Sequence, residues 1–373
     1  MKKNMRKVAA LGLCVALGAT MLTACGGSKG ESASGGKTEL NFGIWDENQR
    51  PAMEKMVKAY EKENSDVKIN IQLTPYKGGE YWTKLEAAAS GGKAPDVFWL
   101  NVLHLDSYVE GGILDDLTDK IKDSDIKDSY SETLVNNYVR DKKNYAVPKD
   151  FDTNALWYNK EIFDKCGVPY PTDDMSYDDP KTQEGIQCWI DMYNEGLSPS
   201  ASALSETTAD AMFEGGQLAM NFAGSYMVPE YASNDAIKDK VDCVEIPTFN
   251  GKEDNCINGL GYAVFEGSKN KEAAEDFAIW LGSKEAQEIQ GKTGVVISAR
   301  TDAQKCFAEA NSQYNLAAYT NHADEAYPLP VCTKAAELYD LEATELQKAY
   351  NGEESLSDVC KSLTKQADKL LQE

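Results

Sequence analysis

Three adjacent side chains, Trp45, Asp46 and Glu47, combine an aromatic ring with two carboxylates. A ring can stack on the apolar C–H face of a polyhydroxylated compound, while carboxylates accept directional hydrogen bonds from its hydroxyls. The segment Thr38–Trp45 alternates polar and apolar residues, which predicts a strand ending at these side chains. Ligands of doubly wound sheets sit beyond such strand ends. Two alternatives stay open: Trp45 facing the core, and Asp46 capping the next helix.

Asn101 is a second candidate ligand-binding residue, because it ends the apolar run Val97–Leu100. That short run, bounded by turn signals, predicts a buried parallel strand. Asp96 precedes the run and follows Pro95, so a structural role in that turn is favoured over ligand binding. Arg300 has a side chain suited to donating hydrogen bonds to hydroxyls, and a solvated surface position is equally consistent with the sequence.

Motifs for catalysis and metal binding are missing. The chain has no G-x-S-x-G, no H-E-x-x-H and no P-loop, and Gly259-x-Gly261 lacks the third glycine of a dinucleotide fingerprint. With only two histidines, His104 and His322, and no C-x-x-C among nine cysteines, a zinc site is not expected. Paired carboxylates carry little weight, since 61 acidic residues produce them by chance. We therefore expect neither enzymatic activity nor a cofactor.

The elements that position these residues alternate strand and helix. After the first strand, Pro51 begins a helix with apolar residues at helical spacing, and Val67–Leu73 predicts a second strand. A helix carrying Tyr81, Trp82 and Leu85 then leads to the strand before Asn101. This order is typical of a doubly wound α/β domain. The pattern restarts at the strand Asn154–Tyr158, and the chain ends in a largely helical segment from Cys332 to Leu371.

The first residues of the chain predict export. Four basic residues precede the 15-residue apolar run Val8–Leu22, as in a secretory signal, and the run is too short to span a bilayer comfortably. Leu22-Thr23-Ala24-Cys25 resembles a bacterial lipobox, in which the cysteine thiol is acylated; a chance Cys is the alternative. Residues 25–37, rich in Gly and Ser, predict a flexible tether. Residues 1–24 would then be a lipoprotein signal peptide, and the protein would be extracytoplasmic and lipid-anchored.

The charge of the chain restricts its possible binding partners, and its cysteine count restricts its possible disulfides. The 373 residues carry a formal charge of −23, and loss of the basic signal would make it −27. Such an acidic chain repels nucleic acid and anionic lipid. Without Cys14 and Cys25, seven cysteines remain, so at least one thiol is unpaired per monomer. Cys243 and Cys256 flank a predicted turn; a disulfide across a hairpin and two buried thiols are both consistent with that spacing.

Taken together, the motifs of the chain resemble a family, the extracytoplasmic carbohydrate-binding lipoproteins of ABC importers, which are similar to maltose-binding protein. The matching motifs, in order, are the lipobox and tether, Trp45-Asp46, Tyr81-Trp82-x-Lys84-Leu85, Ala94-Pro95-Asp96-Val97-Phe98, Gly111-Gly112-Ile113-Leu114, Tyr145-Ala146-Val147-Pro148, Leu156-Trp157-Tyr158-Asn159-Lys160, Phe213-x-Gly215-Gly216-Gln217, Gly259-x-Gly261-Tyr262 and Ala273-Ala274-x-x-Phe277. Each is weak alone, and their order along the chain is specific.

The resemblance implies an α/β, two-lobed periplasmic-binding-protein fold of type II that closes on its ligand by a hinge. It implies that residues 38–148 plus 262–327 form lobe 1, and that residues 149–261 plus 328–373 form lobe 2. The crossings would lie near Pro148–Asp152, Asn258–Tyr262 and Tyr327–Pro330. It further implies ligand contact for Asp152 at the first crossing and stacking by Tyr226, after the pair Gly224-Ser225, with Gly259 a flexible residue of the second crossing.

One departure from the family lies between Asp179 and Pro180, where relatives carry some tens of additional residues. The chain is either a natural short form with a more open cleft or a deleted copy with impaired binding. The function expected from the resemblance is capture of a sugar or oligosaccharide and its delivery to permease subunits, by a monomer. Alternatives are a binding protein for a polyamine or ferric iron, and a surface glycoside hydrolase.

Overall fold

The computed structural model describes residues 37–76, 79–159, 182–247, 255–321, 323, 326–329 and 332–370. The expected signal, residues 25–36 of the tether, and the junction between Asp179 and Pro180 lie outside the described residues. The twelve strands of the described part are β1 Thr38–Ile44, β2 Val67–Leu73, β3 Val97–Asn101, β4 Val139–Arg140, β5 Lys143–Asn144, β6 Val147–Asp152, β7 Asn154–Asn159, β8 Met220–Gly224, β9 Val241–Glu245, β10 Cys256–Val264, β11 Ile297–Ser298 and β12 Tyr327–Pro328.

Helices connect and cover these strands. In the described part they are α1 Arg50–Glu63, α2 Glu80–Ser90, α3 Leu105–Glu110, α4 Thr118–Lys122, α5 Ile126–Ser129, α6 Glu132–Asn136, α7 Thr182–Asn194, α8 Ala201–Glu206, α9 Ala209–Glu214, α10 Val228–Ser233, α11 Lys271–Leu281, α12 Lys284–Gly291, α13 Lys305–Ala310, α14 Ala335–Tyr350 and α15 Leu356–Leu370. Short 3₁₀ turns occupy Val102–His104, Ser225–Met227, Thr301–Ala303 and Leu316–Tyr319.

The larger sheet has the strand order β11-β6-β10-β3-β1-β2, with β12 beside β10. β1 is parallel to β2 and to β3, as strand–helix–strand connections require. Side chains of β3 alternate between two apolar clusters: Trp99 packs with the α1 side of the sheet and Phe98 with the α2 side. A sheet covered on both faces explains why this strand is a continuous apolar run.

The smaller sheet has the order β8-β7-β9, and both of its pairings are antiparallel. The chain passes from the larger to the smaller sheet at Thr153, between β6 and β7, and returns between β9 and β10. β6 and β10 pair with each other, Asn258 opposite Asp152 and Gly259 opposite Phe151. β12 lies on the same β10 segment, with Tyr327 opposite Cys256. The three segments expected as crossings therefore lie side by side.

Local predictions for the first half of the larger sheet are confirmed. Pro51 lies in the first turn of α1, whose buried face carries Met53, Met56 and Tyr60. The alternative that Asp46 caps α1 is wrong: the capping position is Gln49, which makes no side-chain cap hydrogen bond. No disulfide joins Cys243 to Cys256. Among the described residues, no helix is both long and apolar enough to cross a membrane.

Candidate ligand-binding cleft

A cavity of about 470 Å³ opens where the ends of β1, β2 and β3 face the first turn after β8. Its volume falls in the range of small-molecule sites. It is lined by Trp45, Asp46, Glu47, Asn48, Gln49, Tyr76, Asn101, Asp150, Phe151, Asp152, Ser225, Tyr226, Met227, Glu230, Asn258, Gly259, Leu260 and Val296. Seven of the eight residues expected to contact ligand are in this set, and they come from five separate stretches of the chain.

Trp45 forms part of one wall of the cleft. It follows β1 directly and is half-buried. Its ring packs edge-on against Tyr81, with centroids 4.8 Å apart, and against Trp99, at 5.2 Å. Trp45 was expected to face either the cleft or the core, and it does both: the ring packs against the core and also lines the cleft. A ring held on its inner edges by other rings offers a rigid surface for stacking.

The Asp46 carboxylate is fixed by its own turn. Oδ1 accepts a hydrogen bond from the Asn48 N–H at 2.8 Å, and Oδ2 accepts one from Gln49 Nε2 at 2.8 Å. Glu47 is less restrained by contacts: its side chain is 68% exposed and its Oε2 lies 3.9 Å from Arg50 Nη1. The Asp46 carboxylate is therefore held in place by protein hydrogen bonds without a ligand.

Asn101 ends β3 as expected and also caps the following 3₁₀ turn, because its Oδ1 accepts a hydrogen bond from the Leu103 N–H at 3.0 Å. Asp96, at the other end of this strand, accepts from the Asn41 N–H at 2.8 Å and from Ser268 Oγ at 2.6 Å. The structural role favoured for Asp96 is confirmed, and Asn101 is the polar residue that β3 presents to the cleft.

The opposite wall is built around Tyr226, which lies in the turn after β8 and is 52% exposed. Burial, followed by the charges of Asp152 and Asp210, raises the pKa of Tyr226 to about 12. Its hydroxyl is therefore neutral at physiological pH and can donate a hydrogen bond. An exposed aromatic ring beside a cavity, with a protonated hydroxyl at its tip, suits a ligand that is part apolar and part polar.

Asp152 joins the two walls. It ends β6, and its Oδ1 accepts a hydrogen bond from the backbone N–H of Ser225. Burial is the largest influence on this carboxyl, and with the nearby charge of Asp150 it raises the pKa of Asp152 to about 7 despite the Ser225 hydrogen bond. Gly224 permits this approach, since a Cβ there would overlap Asp152 Oδ2 and the ring of Tyr226.

Sequence reasoning missed several cleft residues, among them Tyr76, Glu230 and Asn258. Tyr76 follows β2, is 54% exposed, and has its ring 6.0 Å from Trp45 between centroids. The strand-end rule that selected Trp45 applies equally to Tyr76 and was the available signal. Glu230 and Asn258 gave no such signal. Glu230 lies in α10, where its Oε1 accepts a hydrogen bond from Asn48 Nδ2 at 3.1 Å.

Arg300 is not brought to the cleft. It is 4% exposed, its Nε donates to Asp302 Oδ1 at 2.8 Å, and a terminal nitrogen donates to Asp125 Oδ2 at 2.7 Å. Both roles considered for Arg300, hydroxyl donor and solvated surface residue, are therefore wrong. Two carboxylates and burial fix the guanidinium away from the cleft, where it has a structural role.

Among the described residues, no cation lines the cleft, whereas five carboxylates do. Burial, followed by the charge of Glu214, raises the pKa of Glu230. Within the described ranges, no group of three or more His, Cys, Asp and Glu residues is arranged to hold a metal ion. The site therefore suits a ligand that donates hydrogen bonds to carboxylates and presents apolar faces to aromatic rings, and it disfavours an anionic ligand.

Comparison with known proteins identifies the architecture. The profile of the family described as bacterial extracellular solute-binding protein matches residues 45–288, more than half of the chain. The chain belongs to this family. The resemblance expected from the sequence motifs is confirmed at the level of an extracellular solute-binding protein, which places this protein outside the cytoplasm. The family and its structural neighbours are solute-binding proteins rather than enzymes.

Relatives with curated names match in part. The galactooligosaccharide-binding protein of Bacillus subtilis is 26% identical over 184 residues, which are 49% of this chain and 42% of that protein. A putative binding protein of Brucella abortus is 28% identical over 140 residues, 38% of this chain and 33% of that protein. The chain thus spans between a third and a half of the length of these relatives.

Solved structures match over nearly the whole chain. An ABC substrate-binding protein from Listeria monocytogenes in complex with cycloalternan aligns with a TM-score of 0.78 at 24% identity, covering 90% of this chain and 98% of that chain. The GacH receptor of Streptomyces glaucescens aligns with a TM-score of 0.79 at 18% identity, covering 90% and 99%. At this identity the likeness shows the fold alone: this solute-binding protein has the two-lobed α/β fold expected for it.

Proposed function

We propose that this solute-binding protein captures a sugar or oligosaccharide in the cleft and delivers it to the permease of an ABC transporter. The observation that carries the proposal is that Trp45, beside the larger sheet, and Tyr226, beside the smaller one, line the same cavity. Rings on two walls can stack on sugar C–H faces, while Asp46, Asn101 and Asp152 meet the hydroxyls at the edges.

The names of matched proteins support the same substrate class. One relative is a galactooligosaccharide-binding protein and another is an arabinooligosaccharide-binding protein. Solved neighbours were obtained with cycloalternan, with maltose and with mannobiose. The ligands of these proteins differ from one another, so our proposal for this chain is limited to a carbohydrate of unspecified linkage.

A thermal-shift panel tests this proposal. The protein lacking residues 1–24 is heated with maltotriose, mannotriose, galactotriose or arabinotriose, each well above its dissociation constant. Ligand at about 100-fold excess over Kd stabilises the folded state by about 3 kcal/mol, so at least one trisaccharide should raise the melting temperature by several degrees. A folded protein whose melting temperature responds to none of a broad set of sugars would contradict the proposal.

We propose that the lobes comprise residues 38–148 plus 262–327 and residues 149–261 plus 328–373. The positions 148–149 and 261–262 fall inside β6 and β10, which pair with each other. These two strands would form the hinge, together with β12 beside β10. Ligand would favour the closed arrangement because it contacts both lobes, which is what differential binding to two conformations requires.

We also propose that Cys25 carries the lipid, with residues 25–37 as the tether and residues 1–24 as the signal. The motif Leu22-Thr23-Ala24-Cys25 and the basic, apolar segment before it support this proposal. Replacing Cys25→Ala should release the protein from membranes, and mass spectrometry of the wild type should find an acylated N-terminal peptide. An unmodified Cys25 in membrane-bound protein would contradict it. We propose that the protein is a monomer.

A polyamine is the second candidate ligand, because the described lining of the cleft has five carboxylates and no cation. Ferric iron has no comparable support among the described residues, which offer no metal-binding group. Competition separates the two main candidates: spermidine added to the sugar-bound protein should leave the calorimetric sugar affinity unchanged. If spermidine displaces the sugar when the spermidine concentration is lower than the sugar concentration, the polyamine is the favoured ligand.

A further inference from the structure

Lys149 is a buried cation behind the cleft, and no part of the ligand-binding proposal uses it. Its side chain is fully buried, and its Nζ forms an ion pair with Asp150 Oδ2. The same Nζ donates to Gln49 Oε1 at 2.6 Å and lies 4.4 Å from the centroid of the Trp99 ring. A buried ammonium is costly unless such partners surround it, so the arrangement is strongly specified.

A β-bulge explains how neighbouring side chains of one strand meet. β6 and β10 pair with Leu260 opposite Asp150 and Gly261 opposite Pro148, so Lys149 has no partner on β10. Side chains alternate between faces in a regular strand, whereas the extra residue of a bulge re-aims its side chain. Lys149 thereby points toward the N-terminal end of α1 together with the carboxylate of Asp150.

Gln49 passes this contact on to the cleft. It is 4% exposed, and its Nε2 donates to Asp46 Oδ2 at 2.8 Å while its Oε1 accepts from Lys149. Lysine can only donate hydrogen bonds and an ionised carboxylate can only accept them. One of the two amide orientations of Gln49 therefore satisfies both neighbours, and the lysine selects it.

A second contact reaches the aromatic wall. The Trp99 ring that faces the Lys149 ammonium packs edge-on against Trp45, with centroids 5.2 Å apart and planes at 86°. Lys149 thus contacts Trp99, which packs on Trp45, and Gln49, which donates to Asp46. Trp45 and Asp46 are the ring and the carboxylate at the end of β1.

We propose that Lys149 is a positioning residue for the ligand site: acting through Gln49, it fixes the orientation of the Asp46 carboxylate that a ligand meets. The inference rests on the proposed function of the cleft. It adds that the affinity of the site depends on a side chain that does not line it.

Gln49→Glu separates this role from folding. A glutamate keeps an oxygen acceptor for Lys149, so the melting temperature should stay within about 2 °C of the wild type. It cannot donate to Asp46, and it places a second negative charge beside it. We expect the affinity for the tightest-binding trisaccharide of the panel to fall about tenfold by calorimetry. Gln72→Glu is the matched control: this exposed residue also donates its amide, to Asn41 Oδ1 at 2.9 Å, outside the cleft.

A double-mutant cycle tests whether the effect passes through Asp46. In an Asp46→Ala background, Gln49→Glu should cause no further loss of affinity, because the group it orients is gone. An equal loss in both backgrounds would overturn the relay, as would wild-type affinity of Gln49→Glu itself.

Lys149 is tested with its ion-pair partner, because Lys149→Met alone leaves Asp150 buried and unpaired and endangers folding. Lys149→Met with Asp150→Asn should bind about fivefold more weakly than Asp150→Asn alone; equal affinities would overturn the proposal. If no sugar binds the wild type, the proposed function fails, and the crystal structure of Gln49→Glu still decides the relay. We expect Asp46 to turn away from residue 49 there, and an unmoved carboxylate would refute it.

Discussion

At the scale of single residues, the cleft divides its work between rigid rings and ordered carboxylates. Trp45 is held by Tyr81 and Trp99, whereas Tyr226 stands exposed on the facing wall. Asp46 and Asp152 each accept hydrogen bonds from nearby backbone N–H groups. Both kinds of group are largely in place without a ligand, which lowers the ordering cost of binding.

Tyr226→Ala should weaken sugar binding about 10- to 100-fold, because stacking and the hydroxyl contact are both lost. The melting temperature of the free protein should change little, since the side chain is 52% exposed. Isothermal titration with the tightest trisaccharide measures the loss. Phe222→Ala is the control, an aromatic residue of similar exposure on β8 that does not line the cleft. Equal effects of the two variants would argue against stacking by Tyr226.

Asp152 should make stability depend on pH. Its folded-state pKa of about 7 lies above the ordinary aspartate value of 3.8, so the folded protein retains this proton longer than the unfolded chain. Protonated Asp152 therefore contributes to the free energy of unfolding; this contribution is complete below about pH 4 and is lost as pH rises through about 7. Asp152→Asn cannot titrate, so its melting temperature relative to wild type should rise by a few degrees from pH 5 to pH 8. A constant difference would contradict this, and exposed Asp239→Asn controls for charge removal.

Sequence reasoning predicted which residues line the cleft where one local rule sufficed, while their contact with ligand stays a prediction. Trp45, Asp46 and Asn101 follow from strand ends, and Asp152 and Tyr226 from family motifs. The prediction for Arg300 was wrong because Asp125 and Asp302 form ion pairs with its buried guanidinium. Sequence spacing alone does not reveal which charged residues pair. The contact between Lys149 and Gln49 joins residues 100 positions apart through a bulge, so no periodic pattern predicts it.

At the scale of elements, the paired strands β6 and β10 carry the cleft floor and connect the two sheets. Asp150 Oδ1 accepts a hydrogen bond from the Leu260 N–H at 3.0 Å, and the Tyr138 hydroxyl donates to the Gly259 carbonyl at 3.1 Å. The succession of strands and helices along the first part of the chain was predictable because apolar periodicity is local, whereas the order of the strands within the larger sheet was not predicted. The bulge in this pair was not, since it depends on tertiary contacts around Lys149.

Gly259→Ala should destabilise the pairing of β6 with β10. A Cβ at this position would lie 2.5 Å from the Asp150 carbonyl oxygen, so one strand must shift. We expect a loss of about 1–3 kcal/mol in unfolding free energy, measured by urea denaturation. Gly91→Ala is a suitable control, because its Cβ would meet atoms at ordinary distances from 3.5 Å. Unchanged stability of Gly259→Ala would show that the strands are not close-packed there.

At the scale of the whole molecule, the two-lobed architecture implies movement on binding. The Asn48 amide donates to Glu230, so the turn before α1 and helix α10 already touch across the cleft mouth. Small-angle scattering of the protein lacking residues 1–24 should show a smaller radius of gyration when the tightest trisaccharide is added. An unchanged radius at saturating, calorimetrically verified ligand would mean that the lobes do not close.

The central claim is that a carbohydrate binds between Trp45 and Tyr226. Calorimetric titration of the tightest trisaccharide into the wild type and into the Trp45→Ala/Tyr226→Ala variant tests it most directly. We predict one site per monomer in the wild type and, in a variant that remains folded, affinity weakened by about 100-fold or more. Wild-type affinity in the double variant would contradict the claim.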